Sequence, residues 1–201
     1  MFFVNFQEEQ DTIIRSLTGT PRLLLHACCG PCSSACLERL CEYFDVTVCW
    51  YNPNIEPSEE YQKRLDNMKK LLETMPMTRT VSLMTCAYEP ERFLSSCEGL
   101  ENEKEGGQRC AVCFRLRLEE TARLAKEGHY DFFTTTLTVS PHKNAPLIND
   151  IGQELAQTYG VRFLPSDFKK KNGFLRSIRL SEEYGLYRQN YCGCRFSLRE
   201  Q

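Results

Sequence analysis

The sequence predicts an α/β fold, a single domain over residues 1–201 on a mostly parallel sheet of about five strands with helices on both faces. Three observations lead there. Short apolar runs alternate with longer segments of helical period. No internal repeat and no Pro- or Ser-rich linker divides the chain. A length of 201 residues buries a sizeable core without help from disulfides.

Taken in order, RLLLH (Arg22–His26) reads as a buried strand and the segment SSACLERL behind it as a helix. FDVTVCWY (Phe44–Tyr51) is the second strand. In PSEEYQKRLDNMKKLLETM, Tyr61, Leu65, Met68 and Leu72 recur at helical spacing, with Ser58 as the expected N-cap. RTVSLM (Arg79–Met84) is a third strand. CAVCFRLRLEETARLAKEG follows as a helix with Phe114, Leu118, Ala122 and Ala125 on one face and Gly128 at its C-cap. YDFFTTTL (Tyr130–Leu137) and VRFL (Val161–Leu164) complete the strands, around a helix over Ala145–Tyr159 that ends at Gly160. In such sheets, sites form in the loops at the carboxyl ends of the strands.

Hydrophobic residues make up 41% and charged residues 26%, ordinary values for a globular chain. No run of about 18 apolar residues is present, which excludes a transmembrane helix. The opening MFFVNFQEEQDTIIR turns acidic and polar after its third aromatic, so no secretory signal is expected and a cytoplasmic location is. The net charge of −2 does not mark a nucleic-acid binder. It is unevenly shared, however. Residues 1–159 hold 16 basic and 23 acidic side chains, and the C-terminal segment 160–201 holds 9 and 4. In that tail FKKKNGF and LYRQNYCGCRFSLR interleave aromatics with cations, which suits RNA, although a solvated face is the plainer reading. CEGLENEKEGGQR (Cys97–Arg109) reads as a mobile acidic surface loop.

Cysteine is the anomaly. A reducing compartment does not let twelve cysteines in 201 residues serve as a disulfide framework. Seven fall into Cys28-Cys29-Gly-Pro-Cys32, Cys110-x-x-Cys113 and Cys192-Gly-Cys194. The first group sits at a strand's carboxyl end, and the second opens a helix, where free N–H groups favour thiolate. Three chemistries fit. Cys29/Cys32 with Cys110/Cys113 satisfies a structural zinc site, as in a zinc-bound RNA-binding module. CGPC between strand and helix is a thioredoxin-like signature, but it leaves two cysteine pairs idle. Grouped thiolates also hold iron–sulfur clusters. The C-x-C pair adds to this: one intervening residue makes a strained, easily reduced bridge, and Gly193 relieves the backbone. On residue chemistry alone the three stay open.

Seven ordered blocks carry a resemblance: HACCGPC (His26–Cys32), YNPNIEP (Tyr51–Pro57), EYQKR (Glu60–Arg64), RCAVCFRLRLEETA (Arg109–Ala122), TTTLTVSPHKN (Thr134–Asn144), DFKKKNG (Asp167–Gly173) and GLYRQNYCGCRFS (Gly185–Ser197). From about Leu23 to Arg199 the chain resembles the cobalamin-independent epoxyqueuosine reductases of tRNA queuosine biosynthesis. The resemblance implies a nucleotide-hydrolase-like α/β sheet. It implies a [4Fe–4S] cluster on Cys28, Cys29, Cys110 and Cys113, and a redox-active pair at Cys192 and Cys194. An additional iron is associated with the family, with Cys32 as a candidate ligand beside Cys192 or Cys194. The implied reaction is reductive removal of the epoxide oxygen from epoxyqueuosine at the tRNA wobble position. The partners are then the tRNA anticodon arm and an unidentified electron donor.

Asp167, Tyr191 and His142 lie in matched blocks and can donate the proton that the departing oxygen needs, with Asp167 taken as the catalytic candidate. Tyr187, Tyr191 and Phe196 are available to stack a base, and Lys169–Lys171 and Arg188 to hold phosphates. His26 is expected to support the cysteines rather than ligate. Tyr51-Asn52-Pro53-Asn54 is a pocket wall or a plain turn. Cys36, Cys41 and Cys49 read as small buried apolar residues, and Cys86 and Cys97 have no assigned role.

Overall fold

A computed structural model describes residues 5–198. Met1–Val4 and Arg199, the last residue of the family resemblance, lie outside the described residues. Five parallel strands, β1 (Arg22–His26), β2 (Asp45–Trp50), β3 (Ser82–Thr85), β4 (Phe132–Thr135) and β5 (Arg162–Phe163), form one sheet in the order β3-β2-β1-β4-β5. The expected α/β class and strand count therefore hold.

β1 is central because Leu23, Leu24 and Leu25 bury on both faces, as a strand flanked by two layers of helices must. Leu23 and Leu25 join Val46, Val48 and Trp50 in one core, against α2 (Gly30–Leu40), α3 (Ser58–Thr74) and α7 (Gly173–Glu183). Leu24, Cys49, Phe133 and Phe163 join the other, against α5 (Gln108–Glu127) and α6 (Ala145–Tyr159).

Three helices go beyond the expected pattern: α1 (Phe6–Arg15), α4 (Pro90–Ser96) and α7. Ile13 and Ile14 of α1 and Phe174 and Leu180 of α7 pack against the first core. Two local expectations also change. Ser58 is the first helical residue and Pro57 the cap, without a side-chain capping bond. The run Tyr130–Leu137 is a four-residue strand followed by a 3₁₀ turn over Thr136–Val139, because the Thr135 side chain accepts the Leu137 N–H and ends the extended backbone. At Gly160 the backbone is left-handed, as its capping role requires. No helix among the described residues is long and apolar enough to cross a membrane.

The connections from β1 run first to β2 and β3 on one side and later to β4 and β5 on the other. The chain thus reverses direction across the sheet between β1 and β4. A crevice opens there at the carboxyl ends of the strands, where an α/β protein binds its ligand.

Candidate metal and redox site

Cys28 and Cys29 follow β1 directly into that crevice. Cys29 is the N-cap of α2, its Sγ accepting the Cys32 N–H at 3.4 Å, and Pro31 sits in the first turn, where a missing N–H is harmless. Gly30 is required by close packing, since a Cβ there would lie 2.9 Å from Asn67 Nδ2 and 3.0 Å from the Asn67 carbonyl oxygen. The result is a compact trio. The sulfurs of Cys28, Cys29 and Cys32 all lie within 4.8 Å of one another, close enough to hold one metal centre. Cys28 is held well below the ordinary thiol value by hydrogen bonding with Cys29 and Cys32, whose own thiols are driven up in turn. The trio gives up one proton readily and resists a second until a cation arrives.

Cys110 and Cys113 sit in the first turns of α5, with the Gly106 N–H donating to Cys110 Sγ at 3.2 Å. Burial pushes the Cys113 thiol up to about 12. Both line a small cavity together with Cys192 and Cys194. A larger cleft of ≈ 620 Å³ is walled by Cys28, Cys32, Cys192, His142, Lys143 and Gln189, among others. All three cysteine groups thus converge, and Cys192 faces both cavities. The trio includes Cys32, whereas Cys110 and Cys113 lie beside the C-x-C pair.

The C-x-C pair is carried by a strap, residues 185–198, laid over α3. Arg64 is 1% exposed and reaches three partners: Nε to Glu60 at 2.6 Å, Nη1 to the Cys192 carbonyl at 3.0 Å, and Nη2 to the Tyr191 carbonyl at 3.3 Å. Glu56 N–H donates to the Gly193 carbonyl at 2.8 Å, and Asn67 exchanges two hydrogen bonds with the Tyr187 backbone. Gly193 has φ +120°, and a Cβ there would stand 2.8 Å from Arg64 Nη1, so only glycine fits.

Two cations face the sulfurs. Arg117 is 1% exposed and donates from Nε to the Cys113 carbonyl at 3.2 Å, while its buried Nη2 has no hydrogen-bond partner. Burial alone would lower the Arg117 value, but Cys113, Cys192, Cys28 and Cys194 outweigh it and raise it. Burial opposes the Lys143 ammonium in the same way, and Cys192, Cys28 and Cys32 likewise raise it. Gln189 donates from Nε2 to Cys29 Sγ at 3.0 Å. A soft, anionic metal centre fits this set: the three sulfurs of Cys28, Cys29 and Cys32 gathered within 4.8 Å, two cations to balance them, and an orphaned guanidinium N–H left to meet negative charge.

His26 is fully buried and not free to ligate. Its Nε2 donates to the Tyr51 carbonyl at 3.1 Å, so its Nδ1 accepts from Thr135 Oγ1 at 2.9 Å. Its value is lowered to about 3, first by burial. It ties the ends of β1 and β4 to the loop after β2. Asp167 is buried and paired with Lys169, and it lines neither cavity, whereas His142 lines both and Tyr191 the larger one. Tyr191 Oη is engaged with the Glu56 carbonyl at 2.6 Å.

The basic tail is largely committed within the protein. Lys169 pairs with Asp167, Lys171 with Asp11 at 2.6 Å, and Arg188 donates to Ser181 Oγ at 3.2 Å. Tyr187 lies under Lys63 Nζ at 3.5 Å, and Phe196 packs against Phe93 and Arg109. Lys170 and Lys171 are the exposed members of the lysine run, and of the two it is Lys171 that pairs with Asp11. The acidic loop after Cys97 is gathered by Arg109, whose Nη1 donates to the carbonyls of Leu100, Glu101 and Glu103.

Sequence reading passed over Arg64, Arg117, Lys143 and Gln189. A signal existed: each falls inside or beside a block that carries the family resemblance, EYQKR, RCAVCFRLR, SPHKN and YRQN. Which carbonyl or sulfur they serve depends on tertiary placement.

Comparison with known proteins adds to this geometry. The family model described as "Epoxyqueuosine reductase QueH" matches residues 23–200. Proteins named Epoxyqueuosine reductase QueH are similar along most of their length. That of Streptococcus pyogenes serotype M1 is 43% identical over 183 residues, covering 90% of this chain and 72% of the relative. That of Staphylococcus epidermidis is 42% identical over 185 residues, covering 90% and 78%. That of Thermotoga maritima is 36% identical over 179 residues, covering 89% and 91%.

Proposed function

The chain belongs to the epoxyqueuosine reductase QueH family, and from that premise we propose how its thiols divide the work of reducing epoxyqueuosine in tRNA to queuosine. The chain is an oxidoreductase whose substrate is carried on tRNA. Converting an epoxide to an alkene takes up two electrons and two protons and releases water.

The observation that carries the reading is the convergence of three cysteine groups on two adjoining cavities that share Cys192, His142 and Lys143. Cys28, Cys29, Cys110 and Cys113 hold a [4Fe–4S] cluster, with Cys32 beside it as a ligand for an additional iron. When bound, such a centre passes electrons singly, and an iron with an open position polarises oxygen. Cys192 and Cys194 hold an electron pair between the dithiol and disulfide forms, on a loop whose Gly193 allows the bend. Arg64 fixes that loop by its backbone carbonyls, so it is a positioning residue. Arg117 and Lys143 balance the thiolate charge. His142, exposed at the mouth of both cavities, supplies a proton to the departing oxygen; it takes this role from Asp167, which is held by Lys169 outside the cleft lining.

The anticodon arm approaches the open side of the cleft, with Lys170 available to a phosphate. Anaerobic purification tests the reading. The protein should be brown, carry about four irons per chain for the cluster alone, and reduce epoxyqueuosine in tRNA. A colourless, active protein with one zinc contradicts it.

A further inference from the structure

Cys49 and Cys86 belong to none of the groups above. Cys49 lies in β2, fully buried, and its sulfur is 4.0 Å from Thr121 Oγ1 of α5. Cys86 follows β3 by one residue, and its N–H donates to the Trp50 carbonyl at 3.1 Å, continuing the parallel ladder. Its side chain is half-buried. The two sulfurs lie 4.0 Å apart on the face toward α5.

We propose that Cys49 and Cys86 form a peroxide-oxidisable dithiol, a cross-strand modification site separate from the metal and C-x-C thiols, which closes to a β2–β3 disulfide. Cys86 is the thiol that peroxide meets, being the one that reaches the surface. Hydrogen bonding between the two sulfurs draws Cys86 below the ordinary thiol value, while the same contact and burial drive Cys49 up. Cys41 and Cys97 differ, both pushed up to about 11 by burial. Thiolate character and access are what select a cysteine for oxidation.

The step balances. The Cys86 thiolate attacks one peroxide oxygen and the O–O bond breaks, leaving a sulfenic acid and hydroxide, which is protonated to water. Cys49 then attacks the Cys86 sulfur; the S–S bond forms, the S–O bond breaks, and the hydroxide leaves as water with the Cys49 proton. Two thiols lose two electrons and two protons, and one hydrogen peroxide becomes two waters. Closing 4.0 Å to a bond of about 2 Å requires the strands to give, and β3 is the edge strand, with β2 as its single neighbour in the sheet.

The test is a peroxide titration of the full metal-loaded protein, followed by alkylation of free thiols and peptide mapping without reductant. Cys49 and Cys86 should leave the alkylated pool together as one cross-linked pair lacking two hydrogens, at lower peroxide than Cys41 or Cys97. In Cys49→Ser, dimedone should trap the sulfenic acid on Cys86. Recovery of Cys86 as a free thiol while Cys41 and Cys97 oxidise, or its linkage to another cysteine, overturns the proposal. The wild-type map decides it even where the serine variant folds poorly.

Discussion

The two sides of the cleft are built by different means. On one side Cys28, Cys29, Cys32, Cys110 and Cys113 are placed by secondary structure itself, at a strand's carboxyl end and in the first turns of two helices. On the other, Cys192 and Cys194 ride an irregular strap that belongs to no sheet or α-helix and is fixed by side chains reaching its carbonyls. A metal centre needs ligands that stay put while charge comes and goes. A dithiol that opens and closes needs a backbone held at its ends and free at its sulfurs. The difference teaches that one side's geometry rests on backbone hydrogen bonding within elements, while the other rests on a few named side-chain hydrogen bonds.

Substitutions sharpen that contrast. The largest effect is expected from replacing Cys28, Cys29, Cys110 or Cys113 by serine. Each should bleach the anaerobic protein, lower its iron and abolish epoxyqueuosine turnover, as read by absorbance, iron assay and nucleoside analysis. Next is Arg64→Ala. It strips the strap of two bonds and leaves the part-buried Glu60 carboxylate to Tyr187 Oη alone, so stability should fall as well. Turnover should collapse with iron retained, and Arg64→Lys should not rescue it, because an ammonium cannot span three acceptors in fixed directions. Denaturant unfolding and iron content separate the two outcomes.

Gly193→Ala is smaller. Its positive φ and the crowding at Arg64 should cost about 1–3 kcal/mol and slow turnover without loss of colour. The smallest effect belongs to the lysine run. Since Lys169 and Lys171 already face carboxylates, Lys170→Ala should weaken tRNA binding slightly and flatten its salt slope by about one. A salt titration of binding checks this.

The frame of the site was legible in the sequence because it is local. Leu23–Leu25 is a continuous apolar run, CCGPC follows His26 after a single alanine, and CAVCFRLR opens an amphipathic helix. Parallel order and the cysteine groups follow from such patterns. The strap was not legible, since Arg64 and Cys192 are far apart in sequence and meet only through the packing of α3. The tail's internal partners were hidden for the same reason: Lys169 meets Asp167, Lys171 meets Asp11 and Arg188 meets Ser181 only through the fold. Cys49 and Cys86 read as unrelated residues because adjacency of parallel strands is a property of the sheet.

The central claim is that the strap's dithiol acts in turnover and the framework's cysteines hold the metal. Epoxyqueuosine reduction on tRNA by Cys192→Ser and Cys194→Ser, assayed with a strong chemical reductant alongside iron content, tests it most directly. Both variants should stay brown, keep the cluster's iron and form no queuosine. Full turnover in both would contradict the dithiol role, and loss of the cluster's iron in either would make that cysteine a ligand of the cluster instead.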